Sequence, residues 1–155
     1  MVDFRLDEEQ EALRATVRDF AREQVAPVIA EHYEHKTFPY DVIRQMGKMG
    51  LFGLPFAEES GGMGGDYFAL CIALEELARV DSSVAVTLEA AVSLGAMPIY
   101  RFGTPEQKAQ WLPRLTSGEA LAAFGLTEPG TGSDAAGTTT RAVLDDATGE
   151  WVING

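Results

Sequence analysis

The sequence predicts a mainly α protein, with an N-terminal helical domain followed by the opening strands of a β domain. Up to about residue 118, apolar residues recur at helical spacing between capping signals. Beyond it, the β-branched stretch TTTRAVL, the turn DDATGE and the stretch WVI are typical of strands joined by a turn. The sequence ends on Asn154-Gly155, a typical hairpin turn, so we expect a β domain that is truncated within a hairpin. The predicted domains are residues 1–118 and 119–155.

The first helix is predicted to begin after Asp7, because Gln10 lies three residues later and completes a capping box. The apolar residues that follow at helical spacing predict a long amphipathic helix: Leu13, Val17, Phe20 and Ala21. Pro27 is expected to kink or interrupt this helix, since proline lacks the N–H that a helix needs.

Further helices are predicted along the rest of the helical domain. Apolar residues at helical spacing over 66–78 predict one helix, and Cys71 lies in its apolar run, where we expect a buried thiol. Another helix is predicted over about 84–102. Thr104 is predicted to cap the last helix, whose apolar face is expected to consist of Trp111, Leu112 and Leu115.

The charge of the chain limits the partners that we expect. Lysine and arginine total 12 against 24 aspartates and glutamates, a formal net charge of −12. Nucleic acids and anionic membrane surfaces bind basic proteins, so neither is an expected partner. No run approaches the ~18 apolar residues of a membrane span, and the N-terminal residues lack an apolar signal core, which predicts a cytoplasmic location. With one cysteine, and with His32 and His35 lacking an obvious third ligand, no metal site is predicted.

The stretch AFGLTEPGTGSDAAG, residues 123–137, combines hydroxyl groups, glycines and little side-chain bulk. Thr127 and Ser133 offer hydroxyls beside backbone that a flat, polar ring could reach. An ordinary tight loop, with Asp134 stabilising its own turn, explains the pattern equally well. Neither a P-loop nor a dinucleotide-binding fingerprint is present, since the lysine of the first and the third glycine of the second are missing. The other glycine-rich stretch, GGMGG at 61–65, is expected to be a flexible connection.

The segment GLTEPGTGSDAAG resembles the signature of the acyl-CoA dehydrogenase family. Four further segments resemble parts of that family in the same order: FAREQVAPVIAE, MGLFGLPFAEESGGMGGDYFALCIALEELARVDSSVA, SLGAMPIYRFGTPEQKAQWLPRLTSGE and EWVING. The resemblance implies a longer chain of α, β and α domains that binds FAD and forms a homotetramer. It implies oxidation of acyl-CoA thioesters to trans-2-enoyl-CoA, with an electron-transfer flavoprotein as the electron acceptor.

The resemblance also implies roles for particular residues. Ser133 is implied to contact the CoA part of the substrate. The helix residues Ala90, Ala91, Leu94 and Gly95 are implied to line the acyl chain, with core packing as an equally open alternative. The implied flavin-binding residues are Phe124, Gly125, Leu126, Thr127, Glu128, Pro129, Gly130, Thr131, Gly132 and Ser133.

No catalytic residue is expected within these 155 residues, because the family's base comes from a C-terminal domain. Glu128 is not expected to be that base, since it lies beside Thr127 on the flavin-facing strand and is followed by a rigid proline. Two alternatives remain: a truncated, non-catalytic helical module of the same family, and an acyl-CoA oxidase-like relative.

Overall fold

A computed structural model describes residues 5–155. These residues divide into two compact units, the first ending at Ala123 and the second comprising Phe124–Gly155. The first unit is helical, and the second contains a two-stranded sheet. A helical domain followed by the start of a β domain is therefore confirmed. The boundary after residue 118 stays a prediction, and the first four residues of the predicted helical domain lie outside the described part.

The first unit consists of helices joined by short turns. Its α-helices are α1 (Glu8–Phe20), α2 (Ala26–His35), α3 (Tyr40–Lys48), α4 (Tyr67–Ala78), α5 (Ser82–Glu89), α6 (Met97–Phe102) and α7 (Pro105–Thr116). Two π-helical stretches, Ala21–Val25 and Ala90–Ala96, connect α1 to α2 and α5 to α6.

Side-chain caps set the start of the helices where the sequence predicts them. The Asp7 carboxylate accepts a hydrogen bond from the Gln10 N–H at 2.8 Å, while the Gln10 side chain accepts one from the Asp7 N–H at 3.1 Å. Thr104 and Gln107 form the same reciprocal box before α7. These caps satisfy N–H groups that lack partners within the helix, so the predicted helix starts are confirmed.

Each π-helical stretch ends two residues before a proline. Val25 precedes Pro27 in this way, and Ala96 precedes Pro98. A proline ring has no N–H to donate and clashes with the carbonyl four residues earlier, and a wider turn relieves both problems. The interruption expected at Pro27 is therefore a local widening within one continuous helical run.

The core of the helical unit is apolar and fills the space between the helices. Its largest fully buried apolar side chains are Phe52, Phe56, Met46, Leu51, Leu70, Leu77, Leu88 and Leu112. Burial of one side chain of this size stabilises the folded unit by about 1.5–3 kcal/mol, because its apolar surface is removed from water. Burial of these residues is the main source of stability for the first unit.

A buried ion pair joins α1 to α4. Glu76 is only 2% exposed, and its two carboxylate oxygens accept hydrogen bonds from Arg18 Nε at 3.0 Å and Nη2 at 2.9 Å. The hydrogen bond from Arg18 lowers the pKa of Glu76 despite the opposing effect of burial. Because a buried carboxylate without its partner is costly, this pair specifies how α1 lies on α4.

The prediction of a buried thiol was wrong, because Cys71 is exposed. The apolar face predicted for α7 packs in the core through Leu112 and Leu115, while Trp111 is 44% exposed. Helix α4 is apolar on nearly every side, so helical spacing alone does not identify its buried face. The face formed by Leu70, Ala73 and Leu77 is the one that packs in the core.

The glycine-rich loop at 61–65 is packed and is not a free connection. The Gly64 N–H donates to the Phe56 carbonyl at 2.8 Å, and the Met63 N–H donates to the Gly53 carbonyl at 2.9 Å. A Cβ on Gly62 would lie 2.1 Å from the Phe56 carbonyl oxygen. Only glycine fits at that point.

The second unit contains strands β1 (Arg141–Asp145) and β2 (Glu150–Asn154), which pair antiparallel with Leu144 opposite Trp151. Strand β2 contains the predicted WVI, whereas β1 contains only the RAVL part of the predicted TTTRAVL, whose three threonines precede the strand. Gly149 has a positive φ of 72°, a conformation that favours glycine, and its N–H closes the turn on the Asp145 carbonyl at 2.8 Å.

One helical run reaches the length of a membrane span. By length and composition alone, the 21 residues Ser82–Phe102 could cross a membrane. This corrects the expectation that no run approaches the length of a membrane span. Core helices of folded domains pass the same test, and 44% of the apolar window in this run is buried inside the unit.

Candidate functional site

The implied flavin-binding residues 124–133 belong to the second unit and contain a tight turn. The Glu128 N–H donates to the Thr131 carbonyl at 2.9 Å, and the Thr131 N–H donates back to Glu128 at 3.1 Å. Pro129 and Gly130 occupy the two central positions between them. This reciprocal pair closes the loop and separates the signature into an arm before the turn and an arm after it.

Two side chains of the turn bind to the segment that leads into β1. Thr131 is 8% exposed, and its hydroxyl donates to the Gly137 carbonyl at 3.0 Å. The Glu128 carboxylate accepts hydrogen bonds from the N–H and hydroxyl of Thr139, each at 2.8 Å, and from the Thr140 N–H at 2.9 Å. Hydrogen bonds from Thr140 and Thr139 lower the pKa of Glu128 to about 2. Glu128 is therefore ionised at neutral pH, and its carboxylate is engaged within its own unit.

The arm before the turn, 124–127, is exposed along its whole length. Among the residues that the structure describes, its backbone N–H and C=O groups make no hydrogen bond. The hydroxyls of Thr127 and Ser133 likewise have no hydrogen-bond partner in residues 5–155, and both residues are exposed. Phe124 is 53% exposed. The arm thus presents polar backbone groups and hydroxyls that this part of the chain does not use.

Three glycines of the signature lie beside open space. A Cβ built on Gly125, Gly130 or Gly132 would meet no atom within 4 Å. None of the three has the left-handed φ that would require glycine. Neither the backbone conformation nor contacts in this unit explain these glycines, which is the pattern expected where a ligand approaches the backbone closely.

A cavity of about 560 Å³ lies within the second unit, beside the exposed arm. Ligand pockets typically measure about 300–1,000 Å³. Its lining comprises Phe124, Gly125, Leu126, Thr127, Glu128, Pro129, Thr138, Thr140 and Gly155. Thr138 and Thr140 were missed as site residues, because the threonine run indicates only a strand. Its position directly after the signature is the one signal that could have identified them.

The four helix residues implied to line an acyl chain belong to the first unit, and they differ in exposure. Ala91 is 7% exposed and packs in the core. Gly95 is closed by Ala122, since a Cβ there would lie 2.4 Å from the Ala122 Cβ. Ala90 is half-buried and Leu94 is 43% exposed, so these two lie on the accessible side. Core packing therefore explains Ala91 and Gly95, and the acyl-chain role of all four stays a prediction.

No group of three or more histidine, cysteine, aspartate or glutamate side chains in residues 5–155 is arranged to hold a metal ion. His32 Nδ1 lies 2.9 Å from the Thr37 hydroxyl.

The sequence model of one protein family, the acyl-CoA dehydrogenase N-terminal domain, matches residues 7–119. The chain is 48% identical over 155 residues to the probable acyl-CoA dehydrogenase YngJ of Bacillus subtilis, covering 99% of this chain and 40% of that protein. It is 44% identical over 154 residues to the short-chain specific acyl-CoA dehydrogenase of Clostridium acetobutylicum, again covering 99% and 40%.

Solved structures share the fold. The butyryl-CoA dehydrogenase of Megasphaera elsdenii superposes with a TM-score of 0.89 at 39% identity, over 99% of this chain and 41% of the other. An acyl-CoA dehydrogenase of Bacillus anthracis, complexed with FAD, gives 0.89 at 35% identity, over 100% and 26%. A structure described as the electron transferring flavoprotein of Acidaminococcus fermentans gives 0.92 at 41% identity, over 99% and 40%. The chain thus spans about two fifths of the length of the curated relatives it matches.

Proposed function

The chain belongs to the acyl-CoA dehydrogenase family, and we propose that it forms the helical domain and first β strands of an FAD-dependent enzyme that oxidises acyl-CoA thioesters to trans-2-enoyl-CoA. The observation that carries this proposal is the exposed arm at 124–127, together with the glycines that have open space beside them. These glycines and residues 125–127 of the arm lie within the family's signature. Membership in the family supplies the reaction class.

The residues present fit a flat ring such as the isoalloxazine of FAD. The cavity beside the arm is lined by the residues 124–127, whose backbone groups make no hydrogen bonds within the described residues, and by the threonines 138 and 140. Because the three glycines carry no side chain, a ring can lie close to the backbone at these positions. A solved relative of 35% identity is complexed with FAD, which supports the same cofactor here.

Each polar group of the signature then has a distinct role. FAD, when bound, supplies the hydride acceptor for the reaction. The backbone of 124–127 and the Thr127 hydroxyl would hold and polarise the edge of its ring. Ser133 would contact the CoA portion of the substrate. Glu128 would not remove the substrate proton, because its carboxylate is already bound to Thr139 and Thr140 and its low pKa makes it a weak base.

We extend the proposal to substrate, acceptor and assembly. Relatives named short-chain specific acyl-CoA dehydrogenases, at 44% and 41% identity, support a short acyl chain as the substrate. An electron-transfer flavoprotein is proposed as the electron acceptor from the family resemblance. A homotetramer is proposed from the family resemblance. The cytoplasmic location stays a prediction.

The test is to purify the longest chain that the gene encodes and to titrate it anaerobically with butyryl-CoA. We expect a yellow protein whose flavin absorbance bleaches on addition of substrate. Thr127→Ala should weaken FAD binding by about 0.5–1.5 kcal/mol, the worth of one neutral hydrogen bond. Thr16→Ala is the matched control, because Thr16 is an exposed hydroxyl on α1 that binds the Ala12 carbonyl of its own helix.

The outcomes separate the alternatives. Bleaching that is reversed by an electron-transfer flavoprotein supports a dehydrogenase, whereas fast reoxidation by O₂ with release of hydrogen peroxide indicates an oxidase-like relative. A folded protein that binds neither FAD nor acyl-CoA contradicts the proposal and indicates a non-catalytic module.

A further inference from the structure

The Glu128 side chain is the one carboxylate of the signature turn, and its oxygens face the chain itself. One oxygen accepts the N–H and hydroxyl of Thr139, and the other accepts the N–H of Thr140. These donors lie 11 and 12 residues further along the sequence. Glu128 therefore joins two segments that are distant in the sequence. Both of its carboxylate oxygens already accept hydrogen bonds from this chain.

The same residue is also fixed through its backbone. Its N–H and C=O form the reciprocal pair with Thr131 that closes the turn. Thr131 in turn binds Gly137 through its buried hydroxyl. The turn is thus attached to the segment 137–140 at Gly137, Thr139 and Thr140, and Glu128 supplies the two contacts that lie nearest to β1.

The segments that Glu128 joins both line the cavity in this unit. Thr127, its immediate neighbour, belongs to the exposed arm, and Thr138 and Thr140 belong to the segment before β1. A change in the contacts of Glu128 would alter how these two segments are held together.

We propose that Glu128 is a positioning residue, whose carboxylate holds the 124–127 arm and the 138–140 segment at the separation that the flavin ring requires. This inference rests on the proposed function of the cavity. Glu128 lines the same cavity, and its carboxylate acts on the cofactor through the groups it positions, a role beyond the flavin contact that the family resemblance implies for it.

The variants are Glu128→Gln, which places an amide NH₂ against N–H donors, and Thr139→Val, which removes one donor and leaves the carboxylate. Thr139→Ser keeps the hydroxyl and should restore wild-type behaviour. Glu150→Gln is the matched control, because Glu150 lies in the same unit and its carboxylate binds no other described residue. Each variant is made in the longest chain that the gene encodes, and it is measured with FAD and butyryl-CoA as probes.

We expect Glu128→Gln to weaken FAD binding about tenfold and to shift the flavin absorption band, because it removes a charge-assisted interaction. Thr139→Val should weaken binding by a smaller factor in the same direction. The double variant should be no weaker than Glu128→Gln alone, because both changes break one network. Flavin that remains bound should still be reduced by substrate.

Two results would overturn the proposal. In one, Glu128→Gln binds FAD with wild-type affinity and an unshifted band. In the other, FAD and substrate bind normally but reduction is lost, which would place Glu128 in the chemistry. If Glu128→Gln does not fold, the comparison of Thr139→Val with Thr139→Ser decides in its place.

Failure of the proposed function gives a different result. If the wild-type protein binds no FAD, amide exchange at Thr139 and Thr140 still tests the network. Glu128→Gln should speed exchange at these two amides about tenfold and leave those of β2 unchanged. Unchanged exchange at both amides would overturn the positioning role itself.

Discussion

In the helical unit the buried side chains are apolar and numerous, whereas Thr131 alone is buried among residues 124–155, all of which the structure describes. The second unit instead keeps its shape through the polar contacts of Glu128 and Thr131. Its larger apolar side chains, such as Trp151 and Ile153, are 65% and 70% exposed. The first unit has a hydrophobic core of its own, and the second has surfaces that other parts of a protein or a ligand could cover.

The glycines of the two units show the same contrast. In the loop 61–65, the space beside Gly62 is filled by Phe56, so the fold itself requires glycine. In the signature, the space beside Gly125 and Gly132 is empty. Packing explains the glycine at position 62, and the flavin ring of the proposed function explains the glycines of the signature.

The largest expected difference between the units is in amide hydrogen exchange. Core amides of the helical unit exchange through global unfolding, which costs roughly 5–15 kcal/mol for typical domains. A two-stranded hairpin alone is marginally stable in water. In the 155-residue chain we expect amides of β1 and β2 to exchange at least ~1,000-fold faster than those of α4, as measured by NMR or mass spectrometry. Equal protection of both units would contradict the comparison.

A smaller effect is expected from filling the packed glycine. Gly62→Ala would place a methyl group against the Phe56 carbonyl and should cost about 1–3 kcal/mol in the free energy of unfolding, as overpacking does. Urea denaturation followed by helical circular dichroism measures it. Gly132→Ala, in the open loop, is the matched control and should leave the midpoint unchanged. A tolerated Gly62→Ala would mean that the loop adjusts easily and is not set by packing.

Local features of the fold were predictable from the sequence, and features that join distant residues were not. The caps at Asp7 and Thr104 depend on residues three positions away, so their spacing alone indicates them. The exposure of Cys71 depends on which side of an apolar helix meets its neighbours, and no periodicity in α4 reveals that.

The candidate site follows the same division. The exposed hydroxyl of Thr127 and the open glycines lie within one contiguous motif, which is why the sequence could indicate them. The contacts of Glu128 with Thr139 and Thr140 span a turn and 11 to 12 residues, and the sequence indicates no such pairing. The flavin contact that the family resemblance implies for Glu128 stays a prediction, and its hydrogen bonds to the chain are what the structure adds.

A change confined to the second unit is expected at low pH. The pKa of Glu128 is about 2 in the folded unit, against ~4.3 in an unfolded chain. Because the folded value is the lower one, the contacts of the carboxylate stabilise the unit above pH ~4.3, and this contribution is lost as the pH falls toward 2. The amide signals of Thr139 and Thr140 should therefore shift in that window. Glu128→Gln should abolish the shift, and a shift that persists in this variant would assign the titration to another group.

The smallest expected effect on folding comes from Gly125→Ala. Its Cβ would meet no atom within 4 Å, and its φ lies outside the left-handed region, so the free energy of unfolding should change by less than about 0.5 kcal/mol, as for other exposed positions. The same methyl group would protrude into the cavity where we propose that the flavin ring lies. In the longest chain that the gene encodes, Gly125→Ala should therefore weaken FAD binding while thermal unfolding of the flavin-free protein stays unchanged. Gly149→Ala is the opposite control: Gly149 has a φ of 72° in the β1–β2 turn, so alanine there strains the backbone and should destabilise the hairpin. If Gly125→Ala instead destabilises the flavin-free protein and leaves FAD affinity unchanged, the open space beside the signature is closed by protein rather than by a cofactor.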